Sequence, residues 1–471
     1  MSKWLTDQSF TGRGIENIQH LPAKLIKSCT FFKSFEPTKY TIKSDATAQL
    51  YADYAIGSRF ATFTASRGAT TPATYIDSDG IVQLTTTSNI PRIAGGFYDT
   101  TGFHTVDSNG KSVKGLMIEA AGTNLLIRTD GTNSSGGLWL SWLLLGIPTG
   151  TPVYTQVVAS SITNIVSSNL QRFQYTGIAG DANLAVGLYQ IGTAGSVSPG
   201  NVVTFSLWLK SQSGFSGVTG MNIIISWRNS SGGLISETQS SLFTPTSTLV
   251  RYSITGTAPA LTDKVNVKIQ TNATIDNGDN VDFEFWGPQI EKNPYATSFI
   301  PTTTAALTRN AEVLKYLIAN NRTAAQETIV IKFTPTGNFA NDGAYRNLLS
   351  NDGDNRVVRK EQVGTLLVFS PNSTDEISAQ SISTTTPLTT LSYSFGFICY
   401  QPNALKTYLA GVLENSEAIS WSVPGWTTYF YIGSSVSGDA QLNGVISSVV
   451  FFNRVLSLSE LGAVTNIMNG E

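Results

Sequence analysis

"NVDFEFWGPQIEKNPYATSFIPT", residues 280–302, is the stretch on which the reading of this chain turns. Val281, Phe283 and Phe285 alternate with Asp282, Glu284 and Trp286, which is the period of a strand with one apolar face. Gly287-Pro288 reads as a turn that ends the strand. Pro294 and Pro301 stiffen the exit from the strand, because each ring fixes its own φ and biases the residue before it toward extended backbone. The apolar face belongs to a core. The opposite face, with two carboxylates and a Trp, raises the question of what it meets.

The same alternation recurs on both sides of this stretch. "NVVTFSLWLKS" puts Val203, Phe205, Leu207 and Leu209 on one face and Ser206, Trp208 and Lys210 on the other. "MNIIISWRNSSGGLIS", "TLVRYSITGTAPA" and "DKVNVKIQTNA" come between them with period two. Six or more such strands with almost no helical pattern predict an antiparallel two-sheet sandwich over 123–301. A second sandwich is expected over 302–471, from "ETIVIKFTPTG", "GTLLVFS", "LSYSFGFICY", "ALKTYLAGVLENS", "TTYFYIGSS" and "NGVISSVVFFNRVL". "SLSELGAVTNIMNG" is the one good short helix, with Ser457 or Ser459 as its cap. Residues 46–122 read as short strands and turns, including an Asp-Ser-Asp-Gly turn and an Asn109-Gly110 hairpin signal. Residues 1–45 carry apolar residues at loose helical spacing and read as a short helix or extended arm. The fold class is therefore all-β, two sandwiches in tandem behind an N-terminal arm.

Composition narrows the function classes. The chain has 471 residues, enough for several cores, and only 13% of them are charged, about half the usual share. Lys+Arg 30 against Asp+Glu 32 leaves a net charge of −2, so no global field draws nucleic acid or an anionic membrane. "GLWLSWLLLGIP" (137–148) is apolar over about 10 residues where a span needs about 20, and no membrane insertion is expected. The start has no charged n-region before an apolar stretch, so a Sec signal peptide is not expected. Cys29 and Cys399 are 370 positions apart and read as two free thiols. His20 and His104 read as surface or loop residues, and no P-loop, Gly-x-Ser-x-Gly or His-Glu-x-x-His is present. Catalysis would have to rest on carboxylates.

The sequence singles out three groups of candidates. Trp208, Lys210, Asp282, Glu284 and Trp286 form one patch if their strands are neighbours. Aromatic rings stack on sugar C–H faces and carboxylates bind hydroxyls, so the patch would suit a glycan. The plainer alternative is that this face packs on another module or a second core layer. Asp282 and Glu284, about 6–7 Å apart at Cα, also have the spacing of a glycosidase pair. The Glu-x-Asp-x-(x)-Glu strand motif of laminarinase-type sandwiches is missing from the C-terminal part, and no catalytic residue is assigned. Trp421, Trp426 and Tyr429 could rim a loop-borne sugar site, or fill a core. Asp276 and Asp279 in "IDNGDN", and Asp352 and Asp354 in "SNDGDN", are candidates for a structural calcium. Ordinary Asn/Asp-Gly turns account for both runs equally simply. No other cofactor is expected.

Four runs carry a resemblance: "FTASRGATTPATYIDSDG" (63–80), "NIPRI" (89–93), "GLMIEAAGTNLL" (115–126) and "GPQIEKNPYATSFIPTTTAALTRNAE" (287–312). In this order they resemble a family of tailed-bacteriophage virion proteins found in tail fibres, tail tips and head fibres. The resemblance implies a middle module similar to a carbohydrate-binding-module jelly roll, closed by the "QIE…ATSFIPT" run. "TYLAGVLENS" (407–416), "YIGSS" (431–435) and "LNGVISSVVFFNRVLSLSEL" (442–461) look like a concanavalin A-like, laminin-G-type domain. The resemblance covers about 58–471. It implies a virion protein, made in the host cytoplasm and carried on the tail or capsid surface. Residues 1–45 would dock on other virion proteins, the chain would form a homo-oligomer with a trimer favoured, and the sandwiches would bind host-surface glycans without cleaving them. A purely structural decoration or tail part is the first alternative and a polysaccharide depolymerase the second.

Overall fold

The computed structural model describes strands at 29–34, 41–44 and 48–51 and then most of 73–469. Outside the described residues lie 1–28, 35–40, 45–47, 52–72, 86–91, 159–168, 180–184, 318–326, 336–344, 352–355, 361–366, 370–381, 384–392, 400–404, 418–427, and shorter gaps. Every element among the described residues is a strand except helix Leu458–Asn469.

The middle of the chain is the expected sandwich. One five-stranded antiparallel sheet runs, edge to edge, Val153–Val158, Asn169–Thr176, Asn280–Glu291, Val202–Ser211, Val250–Thr257. The other runs Trp142–Leu145, Gly187–Ile191, Lys264–Thr271, Met221–Arg228, Leu234–Gln239. Their inner faces share one core. Phe173, Phe205, Leu207, Val281, Phe283 and Phe285 from the first sheet meet Ile223, Ile225, Trp227, Val267 and Ile269 from the second, all fully buried or within a percent of it. At about 1.5–3 kcal/mol for each large side chain removed from water, this layer is the main force holding the sheets together.

The chain does not turn at Gly287-Pro288 as its sequence suggests. Strand Asn280–Glu291 runs through it. The register jumps there, from Trp208↔Trp286 to Ser206↔Gln289, which marks a bulge. A bulge leaves a residue unpaired, so a proline is tolerated inside a central strand. Gly287 takes φ +59°, and a Cβ on it would stand 2.9 Å from Cε3 of Trp208.

The C-terminal part is built from a six-stranded sheet, Lys315–Leu317, Tyr429–Ile432, Arg346–Asn351, Arg356–Lys360, Leu367–Phe369 and Ile382–Ser383, and a larger sheet centred on Gly444–Phe452 and Glu327–Pro335. Hairpin Leu405–Leu409/Val412–Glu417 turns at Ala410 and Gly411, both with positive φ, as a two-residue hairpin loop requires. Ser457 caps the helix reciprocally. Its Oγ accepts from the Glu460 N–H at 3.4 Å, and Glu460 accepts from the Ser457 N–H at 2.9 Å.

Described N-terminal strands pair with the C-terminal sandwich. Strands Cys29–Ser34 and Thr41–Ser44 belong to the larger C-terminal sheet, with Cys29–Ser34 antiparallel to Gly444–Phe452. Of the short helix or extended arm expected over 1–45, the described residues 29–34 and 41–44 take extended strands. Long-range strand pairing overrides a loose helical spacing, which is a weak signal on its own. Gly115–Ile118 adds to the same sheet through Gly444–Ile446. Gly122–Asn124 pairs with Leu307–Arg309, so the chain enters and leaves the middle sandwich through a two-stranded clasp.

Candidate functional site

The structure brings the first predicted cluster together and then divides it. Trp208 lies opposite Trp286, and Lys210 opposite Glu284, on adjacent strands. The Trp half is no surface. Trp208 is 1% and Trp286 0% exposed. Tyr98 from hairpin Phe97–Asp99/Gly102–His104 meets Trp208 edge-on at 6.2 Å, Phe299 from the exit lies 4.6 Å from Trp286, and the Arg251 guanidinium sits 4.4 Å over Trp208. The two rings form a second core layer, so their expected role as a sugar platform is corrected. Alternation identifies the outer face of the sheet but not the hairpin that covers it.

The charged half is committed internally. Arg172 grips Asp282 with two bonds of 2.9 and 2.7 Å, and Lys210 reaches Glu284 at 2.9 Å. The bond to Asp282 raises the Arg172 pKa further. Both carboxyls are nearly buried beneath their cations. A general acid or nucleophile needs access to substrate, and here each carboxylate faces a cation that covers it.

The motif residues converge elsewhere. Arg92 of "NIPRI", Glu119 of "GLMIE", and Arg309 and Glu312 of "LTRNAE" form a buried network, with Arg92–Glu312 at 2.5 Å, Arg92–Glu119 at 2.8 Å and Arg309–Glu119 at 2.9 Å. Ser298 donates to Glu119 from its N–H at 2.9 Å and its hydroxyl at 2.6 Å. Burial raises the Glu119 pKa, but Arg309 and Arg92 outweigh it and hold the carboxyl at about 2. The bulged strand supplies the rest. Gln289 accepts from the Ile300 N–H at 2.6 Å, Glu291 accepts from the Thr297 N–H at 2.9 Å and hydroxyl at 2.6 Å, and Asn124 donates to the Ile300 carbonyl at 2.9 Å. Burial raises Glu291's pKa and lowers Arg251's to about 10. Tyr295 bonds Asn443 and Arg346 of the C-terminal sandwich. These residues fasten the two sandwiches together.

The other sheet has a polar outer face, on which Asn222, Ile224, Ser226 and Asn266 are themselves buried. Where Ile223, Ile225 and Trp227 point inward, Asn222, Ser226 and Arg228 point out, as do Lys264, Asn266, Lys268 and Gln270 of the neighbouring strand. Tyr189 stands opposite Lys268, and Leu143 opposite Tyr189. Leu143 and Ile191 are 42% and 52% exposed, so an apolar, aromatic edge borders a floor of amides. At the centre Glu237 accepts from Lys268 at 2.5 Å and Ser226 at 2.6 Å. Burial raises the Glu237 pKa, but these bonds outweigh it and hold the carboxyl below its ordinary value. The Oδ1 atoms of Asn222 and Asn266 are buried with no hydrogen-bond partner among the described residues. Orphaned acceptors near a half-buried Tyr ring would suit a hydroxyl-rich ligand. The signal is legible as Lys-Val-Asn-Val-Lys-Ile-Gln alternation, but the two Trp residues point to the other sheet.

The remaining candidates separate. Tyr429 is half-buried, with the Lys315 ammonium 4.5 Å over its ring; Trp421 and Trp426 lie outside the described residues. The Asp279 carboxylate accepts from the Asp276 N–H at 2.8 Å, closing its own turn. Asp352 and Asp354 lie outside the described residues. Among the described residues no group of three or more His, Cys, Asp or Glu side chains converges as a metal site, and no helix is long and apolar enough to cross a membrane.

Residues 321–462 match the family model of the concanavalin A-like lectin/glucanases superfamily. That agrees with the sandwich seen there. No curated protein matches the sequence. Among solved structures the chain is similar to the enzymatically active domain of bacteriophage CBA120 tailspike protein 4, at 12% identity and a TM-score of 0.27, over 36% of this chain and 21% of that one. It is also similar to a family 11 carbohydrate-binding module from Clostridium thermocellum in complex with a β-1,3-1,4-mixed-linked tetrasaccharide, at 13% identity and 0.25, over 40% and 99%. The chain spans only about a fifth to two fifths of the length of the first such structures. Likeness at this level says nothing about ligand.

Proposed function

We propose that the chain is a virion protein of the fibre or adhesin kind that binds host-surface glycans without cleaving them. The observation that carries this is the polar outer face of the second jelly-roll sheet, where half-buried Tyr189 stands opposite Lys268 near the amides of Asn222 and Asn266, whose Oδ1 atoms have no hydrogen-bond partner among the described residues. The virion setting rests on the family resemblance of the junction motifs. A homo-oligomer, with a trimer favoured, and surface display on tail or capsid belong to the same reading. So does a structural calcium, for which Asp276 and Asp279 remain the described candidates.

One observation favours a second reading, a purely structural part. Arg92, Glu119, Arg309 and Glu312, from the motifs that resemble virion proteins, lie in the buried junction, which suits a role in assembly geometry. The experiment takes purified chain and host envelope polysaccharide, and measures co-sedimentation and new reducing ends. Binding with no new ends supports the proposal. New reducing ends would point to depolymerisation, and no binding beside strong self-association would favour the structural part. Immunogold labelling of intact particles with antibody to residues 306–471 tests the location.

A further inference from the structure

The polar outer face of the second sheet ends in a pair of cations. Arg228 and Lys264 stand directly opposite each other on adjacent strands, both on the outer side. Like charges so placed repel. Among the described residues neither forms an ion pair, and the nearby carboxylates are engaged elsewhere. Asp263 accepts from the Gly195 N–H at 3.1 Å, and Glu237 is held by Lys268 and Ser226. The two side chains converge on one corner. Nη1 of Arg228 lies 3.4 Å from the Gly232 carbonyl, and Nζ of Lys264 lies 3.9 Å from where a Gly232 Cβ would be. Nε of Arg228 is buried with no hydrogen-bond partner among the described residues.

A half-buried guanidinium beside an ammonium, neither with an ion-pair partner among the described residues, is an arrangement that can take an oxyanion. We propose that the glycan held by this face is acidic, and that its carboxylate or sulfate group is received between Arg228 and Lys264. This rests on the glycan reading of the same face. Tyr189 lies two strands and four residues away, about 16 Å at the usual strand spacing and rise. A short oligosaccharide would lie from the ring, along the Lys268 and Glu237 side chains, to the cations. The ligand's charge would then relieve the repulsion that the folded chain carries alone.

The test is an array of microbial polysaccharides printed as native acidic polymers, as their carboxyl-reduced or desulfated forms, and as neutral polymers. It is probed with the full chain, Arg228→Gln, Lys264→Gln and Tyr189→Ala. The expected result is binding to acidic polymers that weakens with salt, falls at least tenfold in either Gln variant, and is lost when the acid groups are removed. Carboxyl-reduced against desulfated forms tells which anion is read. Binding to neutral polymers that Tyr189→Ala abolishes and the Gln variants leave intact would overturn this inference and keep the glycan reading. Binding to acidic polymers unchanged in all three variants would move the site elsewhere. No binding to any polymer would overturn both. Melting temperature checks the variants, and removing one of two opposed cations is expected to leave it unchanged or raised.

Discussion

Replacing Glu119 by Gln keeps the shape of the junction and removes one charge. Arg92 and Arg309 have no exposure to water, and Glu119 and Glu312 together balance them. With Glu119 neutral, one buried guanidinium is left uncompensated. Breaking a buried pair in this way costs about 3–5 kcal/mol. The titration of Glu119 gives a similar figure. Its pKa falls from 4.5 to about 2, and about 2.5 units at 1.36 kcal/mol each is about 3 kcal/mol. The folded pKa is the lower one, so this stability is fully present above pH 4.5 and is lost as the pH falls toward about 2. Glu291 works in the opposite sense. Burial raises its folded pKa, so its charged form opposes folding at neutral pH and its protonation on acidification relieves that cost. Urea unfolding of wild type and Glu119→Gln at pH 7 and pH 3 separates the two. The expected loss at pH 7 is about 3–5 kcal/mol in the transition that reports the junction, and the gap narrows at pH 3. A loss below about 1 kcal/mol at pH 7 would refute the claim that this network fastens the sandwiches.

Local geometry gives two further outcomes. Gly287→Ala puts a Cβ against Trp208 at positive φ, and is expected to destabilise the middle sandwich by about 1–3 kcal/mol in thermal melts. Ser457→Ala removes the acceptor that caps helix Leu458–Asn469 and is expected to cost about 1 kcal/mol, seen as faster amide exchange in the first turn of the helix.

The sequence shows the strands more plainly than it shows what covers them. Alternation in 203–209 and 281–285 places the inner faces correctly, because side chains on a strand have only two directions to choose from. It is silent on the outer faces. Trp208 and Trp286 look like a platform until hairpin Phe97–Asp99/Gly102–His104 is laid over them, and that hairpin is more than 100 residues away. The junction is hidden for the same reason. Arg92 and Glu312 are 220 positions apart, and nothing local says that they pair. The cap at Ser457 and the turn at Ala410-Gly411 are legible because their partners are within a few residues. Tyr189 and the amides of Lys264–Thr271 are visible as alternation, but only the register between strands sets them side by side.

If the outer face of the second jelly-roll sheet holds the glycan, binding protects its strands from amide exchange. Amide hydrogen exchange of the full chain, with and without the polysaccharide bound most strongly on the array, tests it most directly. The account predicts protection in strands Gly187–Ile191, Met221–Arg228 and Lys264–Thr271, with Asn280–Glu291 unchanged. Protection confined to the C-terminal sandwich, or to the strands around Arg172 and Lys210, would contradict it.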